Sequence, residues 1–454
     1  MSVITQNLES VGSLLSEYYR APQVPAHSTV DEQLSSSAGY YRLPNGTICY
    51  SRLAGTEPAV APNGSLPEAH LQISRREAAI QLSFDPEEAI ANLQFERYER
   101  SGQQGGNKNS IVRRLYYLLR PALPTSLRKY FQRIYLKGWN NIPFPQWPVD
   151  RTVDSLYEML LVASMQAQGA DEIPFVWFWP NGSSACATVT HDIETTAGRD
   201  FCSALMDIND SFATKTSFQV VPEERYEVTE SFLDSIRSRG FEVNVHDLNH
   251  DGNLFVDYDQ FLDRVKKINV YGKKFGARGF RSAVLYRNLE WMDALDFEYD
   301  MSVPNVAHLD PQRGGCCTVM PYFVGNRLEI PVTAIQDYSL FHILSDYSTR
   351  LWEQQINIIK DAHGLASFIV HPDYVIERRA RATYERLLAH LRSLREDQNV
   401  WIALPGEIND WWRSRAKMRV SHANGCWQVE GEGSERARVA FASIENDRLR
   451  YRIQ

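Results

Sequence analysis

The strongest constraint on the fold is a series of short apolar runs, rich in β-branched residues, between residues 185 and 404. Amphipathic helical patterns such as SFLDSIRSRG (231–240) separate most of these runs. Alternating strands and helices predict an α/β fold with a parallel sheet, either open or closed into a barrel. In both forms, functional side chains belong at the carboxyl ends of the strands. The runs are Ala185–Thr190, Thr216–Val221, Glu242–Val245, Gly279–Val284, Tyr299–Val303, Leu328–Val332, Leu365–Val370 and Val400–Leu404.

The rest of the chain predicts further domains, because 454 residues exceed one average domain. An amphipathic helical pattern starts the chain, β-rich runs flank the turn-forming pair Asn45-Gly46, and SGQQGGNKNS (101–110) has the composition of a flexible linker. We therefore predict four parts in chain order. They are an N-terminal α+β domain (1–110), a basic helical connector (111–180), a (β/α) barrel (181–417) and a small C-terminal β appendage (418–454).

Composition and charge narrow the classes of partner and compartment. Nucleic acid is not expected as a partner, because phosphate binding needs a basic surface and the net charge is −8. No run of about 18 apolar residues occurs, so no membrane-spanning helix is expected. The N-terminus carries Glu9 and Glu17 and does not resemble a secretory signal. With six cysteines and no CxxC spacing, a reducing cytoplasm is the expected location. The oligomeric state stays open.

One segment departs from the acidic average. Residues 111–137 contain basic residues and no acidic one, and Pro121 and Pro124 divide the segment into two amphipathic helical patterns. Such helices either dock on the acidic remainder of the protein, which we favour, or lie on an anionic membrane surface. The basic residues are Arg113, Arg114, Arg120, Arg128, Lys129, Arg133 and Lys137.

Polar residues follow one predicted strand after another. In EVNVHDLNHDG (242–252), His246 and His250 are four residues apart and can reach one cation if a helical turn joins them. A carboxylate from Asp192 or Glu194 would complete a set of two histidines and one carboxylate, which leaves positions open for water and substrate on a catalytic metal. The other carboxylate is then available as a general base. His191 is expected either to pack in the core or to support the residues that line the site. Three further histidines are expected to be structural: His308, His342 and His363.

Five motifs in order resemble the polysaccharide deacetylase family, the NodB-homology or carbohydrate esterase 4-like metal hydrolases. They are THDIE (190–194), HDLNH (246–250), GFRSA (279–283), YDMS (299–302) and FIVHPD (368–373). The resemblance covers residues from about Ala185 to Gly406. It implies a distorted (β/α) barrel, a divalent metal ion with zinc expected, and removal of N-acetyl groups from a carbohydrate.

The resemblance also implies roles for individual residues. Asp192 corresponds to the catalytic base, and Arg281 to the arginine that positions this base. His246 and His250 correspond to the metal-binding histidines. His371 corresponds to the general acid that protonates the departing amine.

The chain departs from the family pattern at two positions. Ile193 stands where the family has its second, metal-binding aspartate, so we expect Glu194 to supply the metal carboxylate. Asp247 replaces the serine or threonine of the histidine motif. Asp300 falls at the family's aspartate motif, and the expectation there is that it orients His371.

Two alternative functions remain open at this point. The same site could cleave an acetyl ester or a non-sugar amide, or the barrel could be a catalytically silent glycan-binding domain. A cytoplasmic deacetylase would meet nucleotide-linked or lipid-linked glycan precursors more readily than finished cell-wall polymer. Peripheral membrane contact through 111–137 would favour the lipid-linked precursor.

Overall fold

The computed structural model describes residues 6–8, 10–22, 27–30, 33–102, 134, 136–446 and 448–454. The chain divides into two compact units. The first contains Met1–Tyr98, Asp150–Cys186 and Glu407–Gln454, and the second contains Glu99–Val149 and Ala187–Gly406. The predicted linker (101–110) and the predicted basic helices (111–137) lie, apart from a few residues, outside the described part of the chain.

The secondary structure alternates strands and helices through most of the chain. The strands are β1 (Gln6–Leu8), β2 (His27–Val30), β3 (Gly39–Arg42), β4 (Ile48–Ser51), β5 (Leu71–Ser74), β6 (Ala79–Leu82), β7 (Glu172–Val176), β8 (Ala185–Ile193), β9 (Ser217–Val220), β10 (Glu242–His246), β11 (Gly279–Arg281), β12 (Tyr299–Asp300), β13 (Tyr322–Val324), β14 (Arg327–Glu329), β15 (Leu365–Ile369), β16 (Val400–Ile402), β17 (Arg419–Ala423), β18 (Cys426–Glu430), β19 (Val439–Glu445) and β20 (Arg448–Ile453). The α-helices are α1 (Ser10–Tyr19), α2 (Pro86–Gln94), α3 (Arg97–Gly102), α4 (Thr152–Gln168), α5 (Thr196–Ser211), α6 (Glu230–Arg237), α7 (Tyr258–Phe275), α8 (Arg350–Asp361), α9 (Arg378–Gln398) and α10 (Pro405–Lys417).

The first unit combines small sheets with helices. Its sheets have the strand orders β1–β2–β6–β5 and β20–β19–β7, and β3–β4 and β17–β18 are antiparallel pairs. The β3–β4 hairpin turns through Gly46 with φ 86°, as the Asn45-Gly46 pair predicted. Strand β19 pairs with β7, so the predicted C-terminal appendage shares a sheet with a strand of the predicted connector. The three boundaries between the four predicted parts remain predictions.

The second unit contains a nine-stranded sheet. Its order is β13–β14–β12–β11–β10–β9–β8–β15, with β16 also paired with β8. The neighbours from β8 to β12 and on to β14 run parallel, and the edge pair β13–β14 is antiparallel. All eight apolar runs are strands of this sheet. The predicted α/β class is confirmed, and the predicted barrel is an open, curled half-barrel.

The helices of this unit begin and end where local chemistry favours it. Helix α7 starts after Asp257, whose carboxylate accepts from the backbone N–H of Gln260 at 2.9 Å, and it ends at Gly276 with φ 57°. Its buried face presents Phe261, Val265 and Ile268. Among the described helices, none has the length and apolar character needed to cross a bilayer.

The amino ends of the strands carry a buried polar network around Glu242. The Glu242 carboxylate accepts hydrogen bonds from the Tyr299 hydroxyl at 2.6 Å and the Asn244 amide at 2.6 Å. The Ser217 hydroxyl at 3.1 Å and the backbone N–H of Gly406 at 2.8 Å also donate to it. This network joins the starts of β9, β10 and β12 at the end of the sheet opposite the strands' carboxyl ends.

Candidate metal centre

Parallel pairing brings the predicted site residues to one edge of the sheet. His246 and Arg281 are register partners at the ends of β10 and β11. Asp192 lies near the end of β8, and Glu194 follows that strand directly. His371 follows β15, which lies beside β8. The carboxyl ends of the strands therefore supply these side chains, as the sequence predicted.

Three of these residues form a group that could hold a metal ion. One ligand atom each from Glu194, His246 and His250 lies within 4.8 Å of the others. The Nε2 of His250 is 2.8 Å and the Nε2 of His246 is 3.9 Å from the same Glu194 oxygen, Oε1. Both Nε2 atoms are buried. Despite the short contact of His250, neither makes a hydrogen bond of good geometry within the described residues. Buried imidazole nitrogens that converge on one carboxylate oxygen, without a hydrogen bond in good geometry, fit a divalent cation.

The hydrogen bonding of His246 fixes which nitrogen faces this group. Its Nδ1 lies 3.1 Å from the Arg281 carbonyl oxygen, which can only accept. Nδ1 therefore carries the proton, and the lone pair of Nε2 points toward Glu194. A metal-binding histidine usually has such a partner on its other nitrogen.

The loop between the two histidines differs from the expected helical turn. Asp247 and His250 both have φ 57°, in the left-handed region that non-glycine residues rarely adopt. The Asp247 carboxylate accepts from the backbone N–H groups of Leu248 at 2.6 Å and Ala283 at 3.2 Å. The imidazole rings of the two histidines are thereby brought to 4.8 Å between centroids. A tight turn held by Asp247, not a helical turn, brings the two rings together.

Asp192 is held beside the group by Arg281. The guanidinium Nη1 donates to Asp192 Oδ1 at 2.7 Å and to the Thr190 hydroxyl at 2.6 Å, and Nε donates to the Met301 carbonyl at 2.9 Å. Burial would raise the pKa of Asp192, but Arg281 and then His246 lower it below the ordinary value. The other oxygen, Oδ2, lies 3.7 Å from His246 Nε2. Asp192 is thus an ionised carboxylate in a fixed orientation.

The Glu194 carboxylate is also held in its ionised form. Burial would raise the pKa of this group, but His250 and the other imidazoles that face it hold it well below the ordinary value. An ionised carboxylate is the form that binds a cation.

His371 approaches the same carboxylate from the other side. Its Nε2 lies 3.3 Å from Glu194 Oε1, and its Nδ1 lies 2.7 Å from Asp337 Oδ1. The backbone N–H of His371 donates to Asp337 Oδ2 at 2.7 Å. Burial alone would lower the pKa of His371, but the Asp337 carboxylate raises it well above the ordinary value. His371 is thus suited to hold a proton on Nε2.

The structure corrects the residue that orients His371. Asp300 accepts from the Ser302 hydroxyl at 2.7 Å and pairs in register with Glu329, and burial raises the pKa of Asp300 to about 6. Asp337 makes the contact that the sequence assigned to Asp300. A signal for Asp337 was present, since it follows the predicted strand run 328–332, but an irregular segment separates the two.

Comparisons with known proteins returned similar structures only. No family model and no curated protein matches the chain. A Mycobacterium smegmatis protein described as a polysaccharide deacetylase is similar over 53% of this chain and 94% of its own, with 19% identity and a TM-score of 0.44. Puue allantoinase is similar over 52% of this chain and 92% of its own, with 12% identity and a TM-score of 0.40. A protein from Pseudomonas aeruginosa PAO1 described as a polysaccharide deacetylase is similar over 52% of this chain and 93% of its own, with 12% identity and a TM-score of 0.39.

Proposed function

We propose that the protein is a metal-dependent hydrolase that removes N-acetyl groups from a carbohydrate. One observation carries this proposal. An ionised carboxylate, Asp192, and a proton-bearing imidazole, His371, flank the group formed by Glu194, His246 and His250. Amide hydrolysis needs these three components: an electrophilic centre, a proton acceptor for water, and a proton donor for the amine.

Two imidazole nitrogens and one carboxylate oxygen are the donor types of a catalytic zinc site, so zinc is the expected ion. A divalent cation bound there would supply Lewis acidity toward water and the acetamide oxygen. Glu194, His246 and His250 would hold it, and the Arg281 carbonyl would keep His246 in the required tautomer.

Asp192 is the proposed general base. Arg281 fixes Oδ1, which leaves Oδ2 on the side of His246 and free to accept a proton from a water molecule in that space. The bond that forms joins the water oxygen to the acetyl carbon. Since the pKa of Asp192 is lowered, the carboxylate is ionised and ready at neutral pH.

His371 is the proposed general acid. Asp337 holds Nδ1, so the proton to be donated is on Nε2, on the same side as Glu194. Donation to the amide nitrogen breaks the bond to the acetyl carbon and releases the free amine and acetate. General acid or base groups of this kind contribute typically about 10²–10⁴-fold to a rate.

Acetate release from a panel of substrates tests the proposal. The purified protein, supplied with Zn²⁺, is incubated with N-acetylated oligosaccharides, a nucleotide-linked N-acetyl sugar, an O-acetylated sugar and a non-sugar amide. We expect acetate release from at least one N-acetyl sugar and its loss in Asp192→Asn. Asp263→Asn, the same chemical change on the exposed face of α7, is the control and should retain the wild-type rate.

The other arms of the panel separate the alternatives. Acetate release from the O-acetyl sugar alone would indicate that the same residues catalyse ester hydrolysis and not amide hydrolysis. Bound Zn²⁺ with no turnover of any substrate would favour a glycan-binding domain without catalysis. Full activity of Asp192→Asn would overturn the assignment of the base.

A further inference from the structure

His191 lies one residue before Asp192 and belongs to a separate buried network. Its side chain is fully buried, and its Nδ1 lies 2.9 Å from the Val370 carbonyl oxygen. Its Nε2 lies 3.1 Å from the amide nitrogen of Asn209 and 3.4 Å from the Tyr384 hydroxyl. Strand β8 thus carries the proposed base and, next to it, an imidazole bonded at both nitrogens.

The partners of His191 determine its tautomer. The Tyr384 hydroxyl donates to Asn209 Oδ1 at 2.5 Å, so the amide nitrogen of Asn209 is the atom that faces His191 and the Thr216 hydroxyl. An amide nitrogen only donates, so Nε2 of His191 accepts. Nδ1 must then carry the proton and donate to the Val370 carbonyl.

The charge state agrees with this network. Burial lowers the pKa of His191 to about 4, so the ring is neutral at physiological pH. A second proton would sit on Nε2, opposite the donating amide of Asn209. His191 is therefore a fixed donor toward Val370, with no change of state expected near neutral pH.

Val370 is the residue directly before the proposed acid, His371. Its backbone N–H donates to the Thr190 carbonyl at 2.9 Å, and its own carbonyl accepts from His191. The Thr190 hydroxyl donates to the Phe368 carbonyl at 2.9 Å. Two consecutive residues of β8 thus hold the end of β15 through both backbone and side-chain bonds.

We propose that His191 is a positioning residue, which fixes the peptide between Val370 and His371 and so sets the place of the His371 imidazole relative to Asp192. His191 acts through the backbone and touches neither substrate nor metal ligands. The catalytic meaning of this role rests on the proposed function, but the position of His371 can be measured independently of activity.

Two substitutions at one site separate packing from hydrogen bonding. His191→Phe keeps a ring against Phe218, whose centroid is 5.0 Å away, but removes the donor to Val370. His191→Asn is smaller but retains an N–H donor close to the position of Nδ1. A loss of packing alone would harm the asparagine variant more, whereas a loss of the donor harms the phenylalanine variant more.

The first readout is the ¹H–¹⁵N imidazole spectrum of the ¹⁵N-histidine-labelled full chain. It reports the His371 Nδ1–H proton, which is bonded to Asp337. We expect this resonance to shift or vanish in His191→Phe and to stay near its wild-type position in His191→Asn. The second readout is acetate release, where we expect kcat to fall about 10- to 100-fold with KM unchanged in the phenylalanine variant, since small misplacements have effects of this size.

Tyr384→Phe provides a second test that removes only one hydroxyl from the buried chain of bonds. It should shift the same His371 resonance in the same direction, to a smaller extent, and it keeps the test open if His191→Phe does not fold. An unchanged His371 resonance in both His191→Phe and Tyr384→Phe, with lower stability alone, overturns the proposal. If the resonance shifts in the variants but the wild type itself releases no acetate from any substrate of the panel, the positioning role stands and the proposed deacetylase function is rejected.

Discussion

Strand β10 has a buried polar cluster at each end, and the two clusters differ in how their polar atoms are satisfied. At the amino end, the carboxylate of Glu242 accepts four hydrogen bonds. At the carboxyl end, the Nε2 atoms of His246 and His250 are buried without a directed hydrogen bond among the described residues. Both clusters sit on the same sheet and share strand β10, but the amino-end cluster draws on β9 and β12 and the carboxyl-end cluster on β8.

This difference fits a structural role for the amino-end cluster and the proposed metal site for the carboxyl-end cluster. Buried polar groups in folded proteins are nearly always hydrogen-bonded, so a satisfied network needs no explanation beyond stability. Two buried imidazole nitrogens without a well-aligned hydrogen bond cost stability unless a ligand compensates for them. We therefore expect substitutions at the carboxyl end to change binding and rate, and substitutions at the amino end to change stability.

The largest effect is expected for removal of a candidate metal ligand. His250→Ala should weaken zinc binding by well over about 100-fold, because even the loss of an outer partner of a ligand costs about 10–100-fold. Acetate release should fall to the background. The measurements are zinc titration and elemental analysis of the purified protein, with the exposed His422→Ala as control. If His250→Ala retained the zinc content of the wild type, the carboxyl end of β10 would not be a metal site, and the contrast between its two ends would be wrong.

The next effect concerns the partner of His371. Asp337→Asn removes the charge that raises the pKa of His371 and weakens the bond that orients it. We expect kcat to fall by about 10²–10⁴-fold, the usual range for a disturbed general acid. Asp300→Asn makes the same chemical change in another buried carboxyl and should have a much smaller effect. The reverse order of effects would restore the sequence-based assignment of Asp300.

The sequence predicted the supporting sheet well because its signal is repetitive. Each of the eight apolar runs is a strand, and the residues after β8, β10 and β15 reach the site as expected. Asp337 was missed because it follows an irregular segment, where distance along the chain does not indicate distance in space. Two departures from the family pattern are explained by contacts, since Glu194 contacts His250 and Asp247 holds the turn between the histidines.

The Glu242 network was not predictable by the same route. A glutamate at the start of a strand looks like an ordinary exposed residue in the sequence. Its partners Ser217, Tyr299 and Gly406 come from segments far apart in the chain, and only the fold brings them together. The donor geometry of His191 escaped prediction for the same reason, although its structural character was expected.

His191 lies close to the site, and both of its ring nitrogens are hydrogen-bonded. The pH dependence of stability tests its charge state. Its pKa is about 4 in the folded state, against 6.5 as the ordinary value, so the unfolded chain binds more protons between these values. The contribution of the neutral His191 ring to the free energy of unfolding is fully present above pH 6.5. It decreases as the pH falls from 6.5 and is lost once the pH has fallen through about 4. Relative to His191→Phe, the wild type should lose at most about 3 kcal/mol over this range, at about 1.4 kcal/mol per pKa unit. Denaturant unfolding at several pH values measures it, and a pH-independent difference would contradict the neutral, buried state.

The smallest effect should come from the amino end of β10. Glu242→Gln keeps the shape and one acceptor oxygen but places an amide N–H₂ toward one of the donors, for example the backbone N–H of Gly406. One unsatisfied donor costs about 1–3 kcal/mol, which denaturant unfolding can resolve. Glu298→Gln, next to β12 and half-exposed, should cost less than about 1 kcal/mol. Zinc affinity should be unchanged in both variants. If Glu242→Gln weakened zinc binding at unchanged stability, the two ends of the sheet would be coupled, and hydrogen-bond satisfaction would not distinguish their roles.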